Sequence, residues 1–464
     1  MKYKKCIPFW NDKCLQTSKK IWLPNCNDIN NIYCLLSNQS NKYIKTTTNL
    51  TNNSYNNSII TTVNQDENTL IINNKFLKKP DNKIVNNSIR SRKIRIYPNK
   101  EQSIVFKKWF DTSRYVYNKS LNHCKVNNKH ESFQTLRNLF VTHKSRNGVI
   151  NKNLEDFELE TPKEIRAEAI RDLSKAVTVC FSQLKQKIIT KFDLKYKSRK
   201  NNKKTITIAQ SGIRELTNNS ISIYLKQLKT PLHIDKRTTN KEWFRNLKIN
   251  HDIKLTYDGI HYDLIIPIDL PEKNNIKDSS IIALDPGCRT FQTGFSSKEF
   301  IEVTHNKKLI DKLRKRVDYL KSLRDSKDTN LRHSKKKILK TNKKIRNHID
   351  GLHWSTITYL TKTYSSILLP SFENQGMQVK SNNKTLNRDL GYLRHYTFKE
   401  RLLSKASLTN TKVYIVDESY TSQTCSSCGL LNDVKDKKIY NCSCGLVIDR
   451  DVNASRNILI KYTC

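Results

Sequence analysis

Cys425-Ser-Ser-Cys428 and, further on, Cys442-Ser-Cys444 form two tight thiol pairs near the end of the chain. Four thiolates in this pattern can close a tetrahedron around Zn²⁺, and four sulfurs leave no open position for a substrate. Such a metal folds its loop rather than catalysing. The single residue inside the second pair tightens that knuckle. Shortly after it comes Asp449-Arg450-Asp451-Val452-Asn453. Other acids end apolar, strand-like runs. Ile281-Ile-Ala-Leu284 ends in Asp285-Pro286-Gly287, Lys412–Val416 ends in Asp417-Glu418, and Ser366–Leu369 leads through Pro370 to Glu373. Carboxylates from several strand ends and one following helix can hold Mg²⁺, a hard cation that prefers oxygen, for in-line phosphodiester cleavage. Taken singly, each acid reads equally well as a cap or turn residue.

The rest of the chain must position these groups. It has 464 residues and a formal net charge of +43. So large an excess repels itself unless a polyanion neutralises it, and nucleic acid is the natural partner. A membrane surface fits poorly. There is no lipidation motif, no basic helix with a strong apolar face, and no apolar run near the roughly 18 residues of a span. Met1-Lys-Tyr-Lys-Lys-Cys6 lacks the apolar core of a secretory signal. The twelve cysteines are thus expected in a reducing intracellular compartment, nuclear or cytoplasmic, where close pairs favour metal over disulfide.

Residues 1–90 are rich in Asn, Thr, Ser and Ile without a sustained period, and a disordered arm is expected. Cys6, Cys14, Cys26 and Cys34 in that arm fit no compact knuckle. A lobe of helices and strands is expected over 91–275. Arg92–Tyr97 alternates like a strand, Asn99 and Gln102 match a capping box, and Val105, Phe106, Trp109 and Phe110 stack at helical spacing. Thr161-Pro162-Lys163-Glu164 opens a helix whose stripe runs Ile165, Ala169, Leu173, Ala176, Cys180, Leu184. Asp258-Gly259 between alternating runs predicts a hairpin. Lys195–Lys200 interleaves Tyr196 with cations, a pattern suited to a nucleic-acid backbone and also to a solvated loop. Residues 306–346 read as a basic helical hairpin, with Ile310, Leu313, Val317 and Leu320 facing Leu331, Ile338 and Ile345.

Asp285-Pro-Gly287, Tyr420-Thr-Ser-Gln-Thr-Cys425-Ser-Ser-Cys428-Gly429, Cys444-Gly445 and Asp449-Arg-Asp451-Val-Asn453-Ala454 together resemble the TnpB family and its Fanzor relatives. The resemblance spans about residues 92–464, and Arg95-Ile-Tyr-Pro98 with Glu101-Gln102 adds to it. It implies an α/β plus α+β chain. An RNase H-like (RuvC-type) nuclease domain would cover 278–420, a zinc ribbon 421–446 and a final nuclease segment 447–464. An N-terminal β-barrel and helical lobe would hold guide RNA and target DNA. It implies Asp285 as the first acid and Asp451 as the last, with Asp449 the lesser choice. The family's usual middle Glu falls here on Pro370, which has no ligating side chain. Glu418 is the expected replacement, on a neighbouring strand, and Glu373 the alternative. The implied function is an RNA-guided, Mg²⁺-dependent DNA endonuclease acting in transposition. The alternatives are a catalytically inactive zinc-ribbon regulator and a strand-transferring transposase.

Overall fold

The computed structural model describes residues 87–463, except 145–147, 218, 235–237, 239–243, 245–246, 272–279, 326–330, 373–383 and 435–436. It also describes 45–49, 59–64 and 79–81. Cys6, Cys14, Cys26, Cys34 and Glu373 lie outside the described residues. The chain divides into two compact units, one of residues 89–270 and one of 1–88 with 271–464.

Two strands come from the stretch expected to be a disordered arm, β1 (Lys45–Asn49) and β2 (Ile59–Asn64). β1 carries three Thr, and β2 two Ile, two Thr and a Val, all β-branched residues that suit a pleated backbone.

The 89–270 unit pairs β3 (Asn87–Ile96) and β4 (Lys204–Ile208) with a second set, β5 (Ile213–Leu216), β6 (Ser220–Ile223) and β7 (Leu232–His233). β8 (Ile253–Tyr257) and β9 (Tyr262–Pro271) complete it. One sheet runs β3-β9-β8-β4 and the other β5-β6-β7. The expected barrel is therefore not closed. Among the described residues an isolated bridge, Ile96↔Ile234, is what joins the two sheets. β5, β6 and β7 are too short to carry a ladder around. Their inward side chains still share one core with Phe106, Trp109 and Phe110 of α1 (Lys100–Val126).

Local signals explain these elements. Asn99 caps α1 through its bond from the Gln102 N–H, and the Gln102 side chain returns the bond to Asn99 N–H. The β8–β9 hairpin turns at Asp258-Gly259, with Gly259 at φ +89°. A short helix α2 (Phe133–Phe140) follows α1, and α3 (Lys163–Lys185) packs on both. Two details differ from the pattern. Pro162 rather than Thr161 occupies the cap of α3, with no side-chain cap bond. The apolar stripe buries Ile165, Ala169 and Leu173, while Ala176, Cys180 and Leu184 stay partly exposed.

The other unit is built on β10 (Ile281–Pro286), β11 (Gln292–Ser296), β12 (Glu299–Val303), β13 (Ser366–Pro370) and β14 (Lys412–Val416). The sheet order is β1-β2-β12-β11-β10-β13-β14. The first three of these later strands form an antiparallel meander, while β13 and β14 run parallel to β10. Alternation along β10 sends Ile282 and Leu284 to one face and Ile281 and Ala283 to the other.

The first face receives α4 (Lys307–Asp325) and α5 (Leu331–Thr363), the basic hairpin of the sequence. Ile310, Val317, Leu320, Ile338 and Ile345 join Ile282 and Leu284 in one core. The apolar seam is thus buried against the sheet, and α5 runs past the expected end to bury Ile357 and Leu360 as well. α6 (Lys384–Leu393) and α7 (His395–Ala406) complete this layer. The opposite face receives α8 (Arg450–Tyr462), through Val452, Ile458, Leu459 and Tyr462. A two-stranded ribbon, β15 (Ile439–Asn441) with β16 (Val447–Asp449), leads into α8. Among the described residues no helix is long and apolar enough to cross a membrane.

Candidate functional site

Asp285 ends the face of β10 begun by Ile281 and Ala283, so it shares the side covered by α8. The parallel register pairs Ala283 with Leu368 and Pro370 with Val416. Continued by two residues, it sets Asp285 level with Pro370. The central strand therefore offers a ring, not a carboxylate, beside Asp285. Glu418 stands just past the end of β14, and Asp451 in the first turn of α8.

Asp285 feels both of the other acids. Burial, then Asp451, then Glu418 push the Asp285 carboxyl well above the ordinary carboxylate range, and Arg450 opposes them. Burial and then Asp417 raise Glu418. Like charges in one desolvated place raise a carboxyl's pKa, and carboxylate oxygens are hard donors of the kind Mg²⁺ prefers.

The neighbouring acids have other partners. The Asp449 side chain caps α8, accepting from Asp451 N–H at 2.9 Å. Burial works against the Asp417 carboxylate, but Ser419 and Lys461 hold its pKa below the usual value. Lys461 Nζ lies 2.9 Å from Asp417 Oδ2, and the Tyr462 hydroxyl accepts from Asp417 N–H at 3.1 Å. The end of α8 thus ties down the strand end next to Glu418, and its beginning carries Asp451. Arg450 Nη2 lies 3.3 Å from Asp451 Oδ1. Gly287 closes the turn after Asp285, where a Cβ would meet the Thr290 carbonyl at 2.7 Å.

The thiol pairs converge as their spacing predicts. Cys425 Sγ lies 3.6 Å from Cys444 Sγ, and Cys428 Sγ 3.5 Å from Cys442 Sγ. All four sulfurs fall within 4.8 Å of one another. Tetrahedral Zn²⁺ with bonds of about 2.3 Å sets sulfurs roughly 3.8 Å apart, so the cluster fits zinc. Among the described residues no other set of His, Cys or acid ligand atoms is gathered as closely. The short Cys442-Ser-Cys444 knuckle is made possible by Gly445, at φ +93° with open space around its Cα. Burial works against the Cys442 thiolate, but the Cys444 N–H and the Asn432 amide bring its thiol down to about 6.

Sequence reasoning passed over Asn453 and Asn457. Both are fully buried on α8 and both bond to the backbone of the first knuckle. Ser455, Arg456 and Lys461 are buried on the same helix, so two amides one turn apart do not stand out in the sequence.

Fold and site define a multidomain α/β plus α+β protein with mixed sheets and a four-cysteine, zinc-fitting module set just before an acid-bearing helix. Residues 395–458 match the Cas12f1-like TNB domain, and residues 88–132 a family described as a helix-turn-helix domain. The latter residues fold here as β3 followed by the long helix α1. A protein of Paramecium bursaria Chlorella virus 1 that carries a transposase name is 31% identical over 389 residues, 81% of this chain and 87% of that protein. A TnpB-like protein of Acanthamoeba polyphaga mimivirus is 28% identical over 395 residues, 80% of this chain and 73% of its own. A solved Cas12f1–sgRNA–target DNA complex aligns over 81% of this chain and 99% of that one, at TM-score 0.47 and 11% identity, too distant to carry an argument. The chain belongs to the TnpB/Cas12f1-like, transposon-encoded nuclease family.

Proposed function

We propose that this protein is an RNA-guided, metal-dependent DNA endonuclease with an RNase H-like catalytic unit. The observation that supports the reading is that Asp451 and Glu418, from two other elements, both raise the buried Asp285 carboxyl at the end of β10. The strand order supports it, with an antiparallel meander joined to two parallel strands and helices on both faces. When bound, Mg²⁺ would activate water and stabilise the leaving oxygen of a phosphodiester. Asp285, Asp451 and Glu418 would hold it, Glu418 taking the part that Pro370 cannot. Arg450 balances the acid charge, and α8 fixes Asp451 and the Asp417–Glu418 segment together. The zinc module has no open position and serves structure.

Nucleic acid as partner is supported by the net charge of +43. The 89–270 unit adds a cleft of about 260 Å³ whose lining includes Arg114, Lys197, Lys203 and Lys204 beside one acid, Asp172, which pairs with Lys197. Pairing between guide and target would supply sequence recognition. The test is to express the protein with its own flanking DNA and sequence the RNA that copurifies. A discrete RNA reaching past the element's end, which then directs cutting of matching DNA, is expected. A random mixture that directs no cutting would overturn the guided reading.

A further inference from the structure

Asn453 sits two residues after Asp451 and is fully buried. Its side-chain amide is bonded on both sides of Cys425. The Nδ2 group donates to the Thr424 carbonyl at 2.8 Å, and the Ser426 N–H donates to Oδ1 at 3.0 Å. An amide that donates to one peptide and accepts from another pairs as a strand neighbour would, so it fixes both distance and orientation. One turn along, Asn457 Nδ2 donates to the Thr421 and Thr424 carbonyls at 2.8 and 2.7 Å. The clasped segment is itself part of the knuckle, since Cys425 N–H donates to the Leu430 carbonyl and Gly429 N–H to the Cys425 carbonyl, both at 2.9 Å. The second knuckle reaches the same helix by the chain, through β16 into α8. Both halves of the cysteine site therefore end on the turn that carries Asp451, one covalently and one through Asn453.

We propose that Asn453 is a positioning residue that couples the four-cysteine site to Asp451, so that zinc in the ribbon sets where the last acid stands. This rests on the acid reading above. Ala leaves the Ser426 N–H unpaired in a dry place, and Asp loses the donor to Thr424. A merely structural amide would lower overall stability without linking the two metal sites.

The experiment uses the full-length, zinc-loaded protein and two readouts, the rate of zinc loss to a chelator and Mn²⁺ binding followed by electron paramagnetic resonance. Asn453→Ala keeps its four thiolates and its zinc, but is expected to release zinc about tenfold faster and to bind Mn²⁺ about tenfold more weakly. Stripping zinc from the unmutated protein should weaken Mn²⁺ binding to a similar degree. Stripping it from Asn453→Ala should weaken it no further, because the link is already cut. Asn453→Asp, which keeps the acceptor for Ser426, should fall between, and it carries the comparison if Asn453→Ala does not fold. Unchanged zinc loss and Mn²⁺ binding in the variants, or an equal effect of zinc stripping in both backgrounds, would overturn the proposal. If the unmutated protein binds no Mn²⁺, it is the acid reading that fails, and the zinc-loss rates alone decide whether Asn453 clasps the knuckle.

Discussion

Asp285→Asn should make the metal-free protein more stable while removing its response to divalent cations. In an unfolded chain an Asp titrates near ~3.9. In the fold, burial, Asp451 and Glu418 push Asp285 well above that. Between the two values the folded state holds a proton that the unfolded state has released, so stability falls as pH rises through the window. Above the folded value the whole penalty is present. A like charge at roughly 5–10 Å costs ~2–3 kcal/mol at an effective dielectric of ~20. Two such neighbours act on Asp285, and Arg450 offsets part of their effect. The neutral isostere should therefore gain about 2 kcal/mol, or roughly 4–8 °C in melting temperature for a unit of this size. The assay is a thermal scan of zinc-loaded protein, without and with excess Mn²⁺, near neutral pH and again near about pH 5. Without Mn²⁺ the variant should melt higher, and its advantage should shrink in acid. With Mn²⁺ at about a hundredfold excess over Kd, the unmutated protein should gain about 2.7 kcal/mol and the variant almost nothing. A variant that melts lower without metal, or that gains as much from Mn²⁺, would refute the reasoning.

Three further outcomes follow from the packing. Burial lowers His353 to about 4 and His395 to about 3, so both stay neutral in the fold. An unfolded His takes up its proton near ~6.5, so each should cost ~1.4 kcal/mol per pH unit below that. His395 is buried and stacks on Phe291 at 5.0 Å, so His395→Phe should raise the melting temperature and flatten its fall in acid; a steeper fall would contradict this. Ile345→Ala, in the seam of the basic hairpin, should cost about 2–5 kcal/mol in chemical denaturation yet leave the zinc content at one per chain. Removing zinc withdraws on the order of 10 kcal/mol from the ribbon. Limited proteolysis should then cut within 421–449 first, while the 89–270 unit keeps its resistance.

Much of the site could be read before the fold. The cysteine spacing, the apolar run ending at Asp285 and the acid pair after Val416 each carry a local signature. The capping box at Asn99 and the hairpin at Asp258-Gly259 are legible for the same reason, since turn and cap chemistry acts over a few residues. Long-range pairing is not local. Lys45–Asn49 and Ile59–Asn64 have strand-forming residues, but the place of the second beside β12 depends on a register made across more than 230 residues of chain, which composition does not hold. Strand alternation in 204–271 finds the strands and says nothing of whether they close, and the short β5–β7 leave the barrel open. The hairpin of 307–363 shows its charge in sequence more plainly than its seam, so its burial against the sheet emerges only from packing. Asn453 and Asn457 look like ordinary helix residues until the knuckle backbone is set beside them.

Glu418 decides the account. Single-turnover cutting of a DNA matched to the copurified RNA, with Mg²⁺, should be compared for the unmutated protein, Glu418→Gln and Glu373→Gln. Loss of cutting in Glu418→Gln with retained nucleic-acid binding, and near-normal cutting in Glu373→Gln, is the predicted result. Full cutting by Glu418→Gln would contradict the proposed assignment of Asp285, Glu418 and Asp451 as the metal-holding acids.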